Sequence, residues 1–226
     1  MNHVSAHVSA QVNARVIDYY FAPQSPWTYL GHQRFADLVA RCDAKVRVKP
    51  VDIARVFAVS GGLPLAQRPK QRQSYRLIEL ARYAEYLDMP INLHPKFFPV
   101  VGDAAARRVI AAAKMSGDAR DDARDDGAAL RLAGATMRAV WTEDRNIADE
   151  ETLDAIASAC GFDASALREA SGGASVQATY DANTEEAIAE EVFGSPTYVP
   201  RFGRAKDQRF WGQDRLDLLA RAIERG

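Results

Sequence analysis

Three short segments carry residue types that could do chemistry. The first is Ser25-Pro26-Trp27-Thr28. Pro26 suits the first position of a helix and Ser25 the N-cap before it. A helix start presents unpaired N–H groups and partial positive charge. Such a place lowers the pKa of a thiol brought to it, and a serine hydroxyl can donate a further hydrogen bond to the thiolate. By spacing alone, Ser25 reads equally as a plain N-cap. The second segment is Phe193-Gly194-Ser195-Pro196-Thr197-Tyr198. A proline entering a strand suits a cis peptide. Ser195 ahead of it could offer its backbone N–H and C=O to an extended peptide, although an ordinary turn has the same pattern. The third is Phe210-Trp211-Gly212-Gln213-Asp214-Arg215-Leu216. Gly212 breaks a strand, and Gln213-Asp214 opens a helix whose start could hold a carboxylate. Asp214 could accept from an ammonium group or simply cap that helix.

Neither cysteine belongs to these segments. Cys42 and Cys160 are far apart and form no CxxC pair, so they read as small, partly buried hydrophobes. A thiol used at Ser25 would therefore come from a ligand. The 226 residues allow one domain or two and a substantial core. A hydrophobic fraction of 47% with 26% charged residues fits a globular protein, and a net charge of −1 argues against nucleic acid as a partner. No apolar run approaches the roughly 20 residues that span a bilayer. Residues 1–15 lack a basic start followed by an apolar stretch, so they read as a flexible extension and not as a secretory signal. The expected location is cytoplasmic, where thiols stay reduced.

The elements that must position the three segments follow from periodicity. Val16 to Phe21 (VIDYYF) reads as a strand, Trp27 to Cys42 as a helix, and Lys45 to Val51 as a second strand, a right-handed βαβ opening. The stretch from about Asp52 to Val192 is mostly helical. Within it, Gln71 to Leu87 is amphipathic, with Tyr75, Ile78, Leu80, Tyr83 and Leu87 as its inner face. Ala104 to Met115, Ala128 to Trp141, Thr152 to Cys160 and Val176 to Val192 are further helices. Ser116 to Asp126 is a charged, solvated connector. Thr197 to Arg201 and Gln208 to Trp211 suggest a hairpin. Gln213 to Ile223 closes the chain as a helix with Leu216, Leu218, Leu219 and Ile223 inward. The fold class is α/β: a thioredoxin-like domain (residues 16–52 and 193–226) with a large inserted all-helical domain (53–192). In redox proteins of this fold the start of the first helix carries CxxC, where this chain has Ser25 and Thr28.

The stretches DYYFAPQSPWTYLG, PVDIARVFAVSGGLPL, PINLHPKFFPV, AVWTEDRNIAD, EVFGSPTYV and FWGQDRLDLL run in this order from Val16 to Ile223. Together they resemble the 2-hydroxychromene-2-carboxylate isomerases, relatives of the kappa-class glutathione transferases. The resemblance implies glutathione as cofactor and no metal. The implied reaction interconverts 2-hydroxychromene-2-carboxylate with trans-o-hydroxybenzylidenepyruvate in aromatic degradation. It implies Ser25 as the catalytic residue that holds the glutathione sulfur. It implies Ser195, Pro196, Trp211, Gly212, Gln213 and Asp214 as the rest of the glutathione site. Arg55, Phe57, Lys96, Phe98 and Pro99 match positions around a small aromatic carboxylate, with Arg55 or Lys96 as candidates for its carboxylate. The resemblance also allows a homodimer. Two departures stand out. Phe57 replaces a lysine of some relatives, and Pro200 to Gln208 is longer and more basic than the usual turn. A kappa-type transferase acting on another electrophile, or a non-catalytic binding module, would share much of this pattern. A disulfide oxidoreductase would not.

Overall fold

The computed structural model describes residues 15–116 and 126–225. The expected extension, apart from Arg15, and most of the charged connector lie outside them. Four strands form one mixed sheet in the order β2-β1-β3-β4. β1 (Val16–Phe21) is buried along its whole length, as a near-continuous apolar and aromatic run should be when covered on both faces. It pairs in parallel with β2 (Lys45–Pro50), Val16 opposite Lys45 through Phe21 opposite Pro50. On its other side it pairs antiparallel with β3 (Thr197–Pro200), which pairs antiparallel with β4 (Phe210–Trp211). The crossover between β1 and β2 is helix α1 (Pro26–Arg41).

Period-two alternation in β1 divides the core. Ile17, Tyr19 and Phe21 face the larger cluster, where Tyr19 stacks on Tyr198 at 5.3 Å and meets Phe35 at 4.7 Å. This cluster continues without a break into α4 (Asp103–Ser116) and α5 (Gly127–Trp141). Residues from the β-rich ends and from the helical middle thus share one core. Tyr20 faces a smaller cluster with Val56, Ala187 and Val199, built by α2 (Ile53–Ser60) and α8 (Ala174–Ala189). Asp18 lies on that same side. It is fully buried and accepts two hydrogen bonds from Arg47 and one from Arg201 Nε at 2.7 Å, with Lys49 at 3.7 Å. Arg201 also meets Glu190 and Asp207. The basic loop after β3 is therefore anchored through Arg201 to the sheet.

His32 joins α1 to α5. Its ring nitrogens lie 3.2 Å from the Tyr19 hydroxyl and 2.9 Å from the Leu130 carbonyl. Gly134 leaves no room for a side chain beside the ring. Burial lowers the pKa of His32 to about 4.

Several boundaries differ from the sequence reading. α2 is a separate helix, capped by the Asp52 carboxylate on the Ala54 and Arg55 N–H groups and ended by Gly61 at φ +76°. α3 (Lys70–Tyr86) buries only Leu80 fully; Tyr75 and Ile78 lie on its exposed side. α6 (Glu150–Ala159) and α7 (Ala164–Ser171) are both capped by aspartates, Asp149 and Asp163. The last helix begins as a single 3-10 turn, Gln213–Arg215, before α9 (Leu216–Arg225), and Leu218 points outward. Among the described residues no helix is long and apolar enough to cross a membrane.

Candidate active site

The three segments meet at the first turn of α1. Ser25 has extended backbone angles, and its Oγ accepts the Thr28 N–H at 3.3 Å, so the capping role is real. The same hydroxyl donates toward the Ser195 carbonyl at 3.5 Å. That distance is at the limit of a hydrogen bond, so the Ser25 proton is only weakly engaged. Ser195 precedes a cis peptide to Pro196. Its side chain is tied down twice: Oγ accepts the Ala22 N–H at 2.8 Å and shares a hydrogen bond with Thr28 Oγ1 at 2.8 Å. Two hydroxyls thus pin the cis-proline loop to the helix start, with Thr28 four residues C-terminal to the Gln24 turn and fully buried. The Ser195 backbone N–H has no hydrogen-bond partner among the described residues. A half-buried hydroxyl at a helix start, beside an unpaired N–H ahead of a cis-proline, can hold a sulfur anion and one edge of a peptide together.

The third segment closes the far side. The Gly212 N–H donates to the Pro196 carbonyl at 2.9 Å. Trp211 is half-exposed, meets the Phe193 ring at 4.7 Å with the rings tilted by 59°, and lies so close to Gly194 that no side chain fits there. Gly212 has φ +98° and ψ 150°, a region open essentially to glycine alone. Gln213 is buried against Gly31 of α1, and Arg34 donates to its side-chain oxygen at 2.9 Å. Asp214 is exposed and pairs with Arg215. Its charge, after burial, raises the pKa of Tyr83, whose ring meets Trp27 edge-on at 5.9 Å. In this way α3 leans over the helix start.

The remaining candidates lie on α2 and on the loop after α3. Arg55 pairs with Asp181 and Glu185 of α8, so its charge is met within the chain. Phe57 carries the Arg68 guanidinium over its ring at 5.8 Å. Lys96 is exposed over Phe97. Phe98 packs on Trp141 at 4.8 Å and begins a second cis peptide, to Pro99. The loop continues to Gly102, which abuts Gln24, the residue before Ser25. Sequence reading did not single out Arg34, Arg68 or Arg76. They are charged residues on polar stretches, and only the fold gives them neighbours. Among the described residues no group of three or more His, Cys, Asp or Glu is placed to hold a metal. Cys42 and Cys160 are free and cap the C-terminal ends of α1 and α6.

A sheet of this order, a helix start facing a cis-proline, and a helical insertion define a class, and the chain belongs to it: the DSBA-like thioredoxin domain family, whose model matches residues 16–224. Its relatives include two groups of enzymes. The chain is 30% identical over 213 residues to the 2-hydroxychromene-2-carboxylate isomerase of Pseudomonas putida, covering 93% of this chain and 95% of that one. A solved 2-hydroxychromene-2-carboxylate isomerase superposes with a TM-score of 0.70 at 28% identity, covering 93% and 95% of the two chains. Glutathione S-transferase kappa 1 of Rattus norvegicus is 22% identical over 212 residues, 91% of this chain and 89% of the relative.

Proposed function

We propose that the protein is a glutathione-dependent isomerase that interconverts 2-hydroxychromene-2-carboxylate and trans-o-hydroxybenzylidenepyruvate. The observation that carries this reading is the Ser25 hydroxyl at the capped start of α1, facing Ser195 and the cis-proline across 3.5 Å. The residues fit a thiol-bearing tripeptide. Ser25 and the first turn of α1 would receive its sulfur. The unpaired Ser195 N–H would take its backbone. Trp211, Gly212, Gln213 and Asp214 would surround its γ-glutamyl end, whose ammonium suits the Asp214 carboxylate. Bound glutathione would supply a thiolate that can add to the carbon–carbon double bond conjugated with the keto group once the ring is open, let the resulting single bond rotate, and leave again as the double bond re-forms, so it is not consumed. The chain's part is to hold that sulfur ionised, through the partial positive charge of the helix start and the Ser25 O–H. Full-length likeness to isomerases, and the absence of cysteine at Ser25 and Thr28, support isomerisation over disulfide exchange.

The test is a spectrophotometric assay of hydroxychromene carboxylate isomerisation, with and without glutathione, on wild type and Ser25→Ala. Turnover should need glutathione and fall about 100-fold or more in the variant, the scale of losing a donor to a developing anion. Glutathione binding without turnover would replace the isomerase by a kappa-type transferase. No glutathione binding would end both readings.

A further inference from the structure

We propose that Arg76 anchors the carboxylate of an aromatic acid in the cavity between α3 and the loop that follows it. The identity of that acid as the substrate rests on the isomerase reading; the existence of the anion site does not. The cavity measures about 270 Å³ and is lined by Gln73, Arg76, Leu77, Leu93, His94 and Phe98, among others. That is near the lower end of small-ligand pockets, about 300 to 1,000 Å³, and suits one fused-ring acid better than a peptide. No aspartate or glutamate lines it.

Arg76 is the unusual member. Its guanidinium lies 5.2 Å from the Phe98 ring centre and 5.8 Å from that of Trp141. Its Nη2 is buried and has no hydrogen-bond partner among the described residues, and it forms no ion pair there. Arg47, Arg55, Arg108 and Arg201 each meet a carboxylate. Burial and the nearby positive charge of Arg68 lower the pKa of Arg76 to about 10, so it still carries its proton at neutral pH. A guanidinium with a buried, unmet N–H is costly to the folded state, and an anion would supply the missing partner. Stacking on rings occupies the faces of the guanidinium and leaves in-plane N–H groups for a carboxylate fork. Leu77, Leu93 and Phe98 supply apolar walls for the ring, and Gln73 and His94 supply hydrogen bonds for a phenol or keto oxygen. The same loop runs on to Gly102 against Gln24, next to Ser25. Arg55 and Lys96, the cations singled out from the sequence, are respectively paired to α8 and exposed.

The experiment uses coumarin-3-carboxylate as probe and neutral coumarin as control, followed by calorimetry on wild type, Arg76→Gln and Arg76→Lys. Wild type should bind the acid at least tenfold more tightly than coumarin. Arg76→Gln should lose that preference and Arg76→Lys should keep part of it, with glutathione affinity unchanged within twofold in both. A wild type that does not prefer the acid overturns the proposal, and so does an Arg76→Gln variant that retains the preference. If Arg76→Gln fails to fold, the wild-type preference and its reduction in Arg76→Lys decide the matter. Arg76-dependent binding of the acid without any isomerisation would uphold the anion site and remove the isomerase reading.

Discussion

Ser25 caps α1 through the Thr28 N–H, so alanine there removes a cap as well as the proposed donor to sulfur. The two losses separate by scale. The cap is worth about 1 kcal/mol of stability, a modest shift in a urea midpoint, whereas the proposed chemistry would lose about two orders of magnitude. Ser25→Gly sharpens the contrast, because glycine at an N-cap costs only a few tenths of a kcal/mol. His32 makes a separate prediction about acid. Its pKa is about 4 in the fold, below the ordinary value of about 6.5. The unfolded chain therefore takes up the proton first as pH falls. Stability from keeping His32 neutral is complete above about pH 6.5 and is lost on the way down toward pH 4. Between pH 7 and pH 5 this amounts to about 2 kcal/mol. Urea denaturation at both pH values should show that fall in wild type and a fall smaller by about that amount in His32→Gln. Equal slopes for the two proteins would mean His32 is not the responsible group.

At the scale of elements, the joint between β4 and the last helix depends on Gly212. Its backbone angles belong to glycine, and a Cβ there would lie 2.5 Å from Asp214 Oδ1. Gly212→Ala should cost about 1 to 3 kcal/mol and weaken glutathione at least tenfold, since Gln213 and Asp214 would be re-aimed; unchanged binding by calorimetry would show that this joint does not shape the site. Much of the frame was readable beforehand. The apolar run of β1, the Ser25-Pro26 helix start and the Gly212 break are local signals with local causes. The cis bond at Pro196 followed from the same kind of reading. What escaped is non-local. Tyr75 and Ile78 fit an apolar stripe on α3 but face outward, because that helix packs mainly through one side near Leu80 and Tyr83. Leu218 is exposed because α9 turns Leu216, Leu219 and Ile223 inward, and at about 100° per residue position 218 then falls on the outer side. Arg34 and Arg76 gave no signal at all. An arginine on a helix is ordinary until the fold shows what its guanidinium meets.

Across the whole molecule, Asp18 links three strands and, through Arg201 and Lys49, the end of α8. A fully buried carboxylate facing three cations holds them only while it is charged. Asp18→Asn should destabilise the protein by about 3 kcal/mol while leaving glutathione affinity unchanged, because the network lies on the face of the sheet that carries α8. A change under 1 kcal/mol in urea denaturation would show that Glu186, Glu190 and Asp207 suffice without it. The other face carries the core shared by the β-rich ends and the helical middle. α1 crosses that face from end to end, and its two ends differ in kind. At its start stand two hydroxyls where a pair of cysteines would store two electrons; hydroxyls store none, so this end has one covalent state under reducing and oxidising conditions alike. Cys42 sits at the other end, roughly 24 Å away along a 16-residue helix. A reagent that oxidises this chain's own thiols must begin there or at Cys160, at the C-terminal end of α6, and not at the helix start where a borrowed thiol would work.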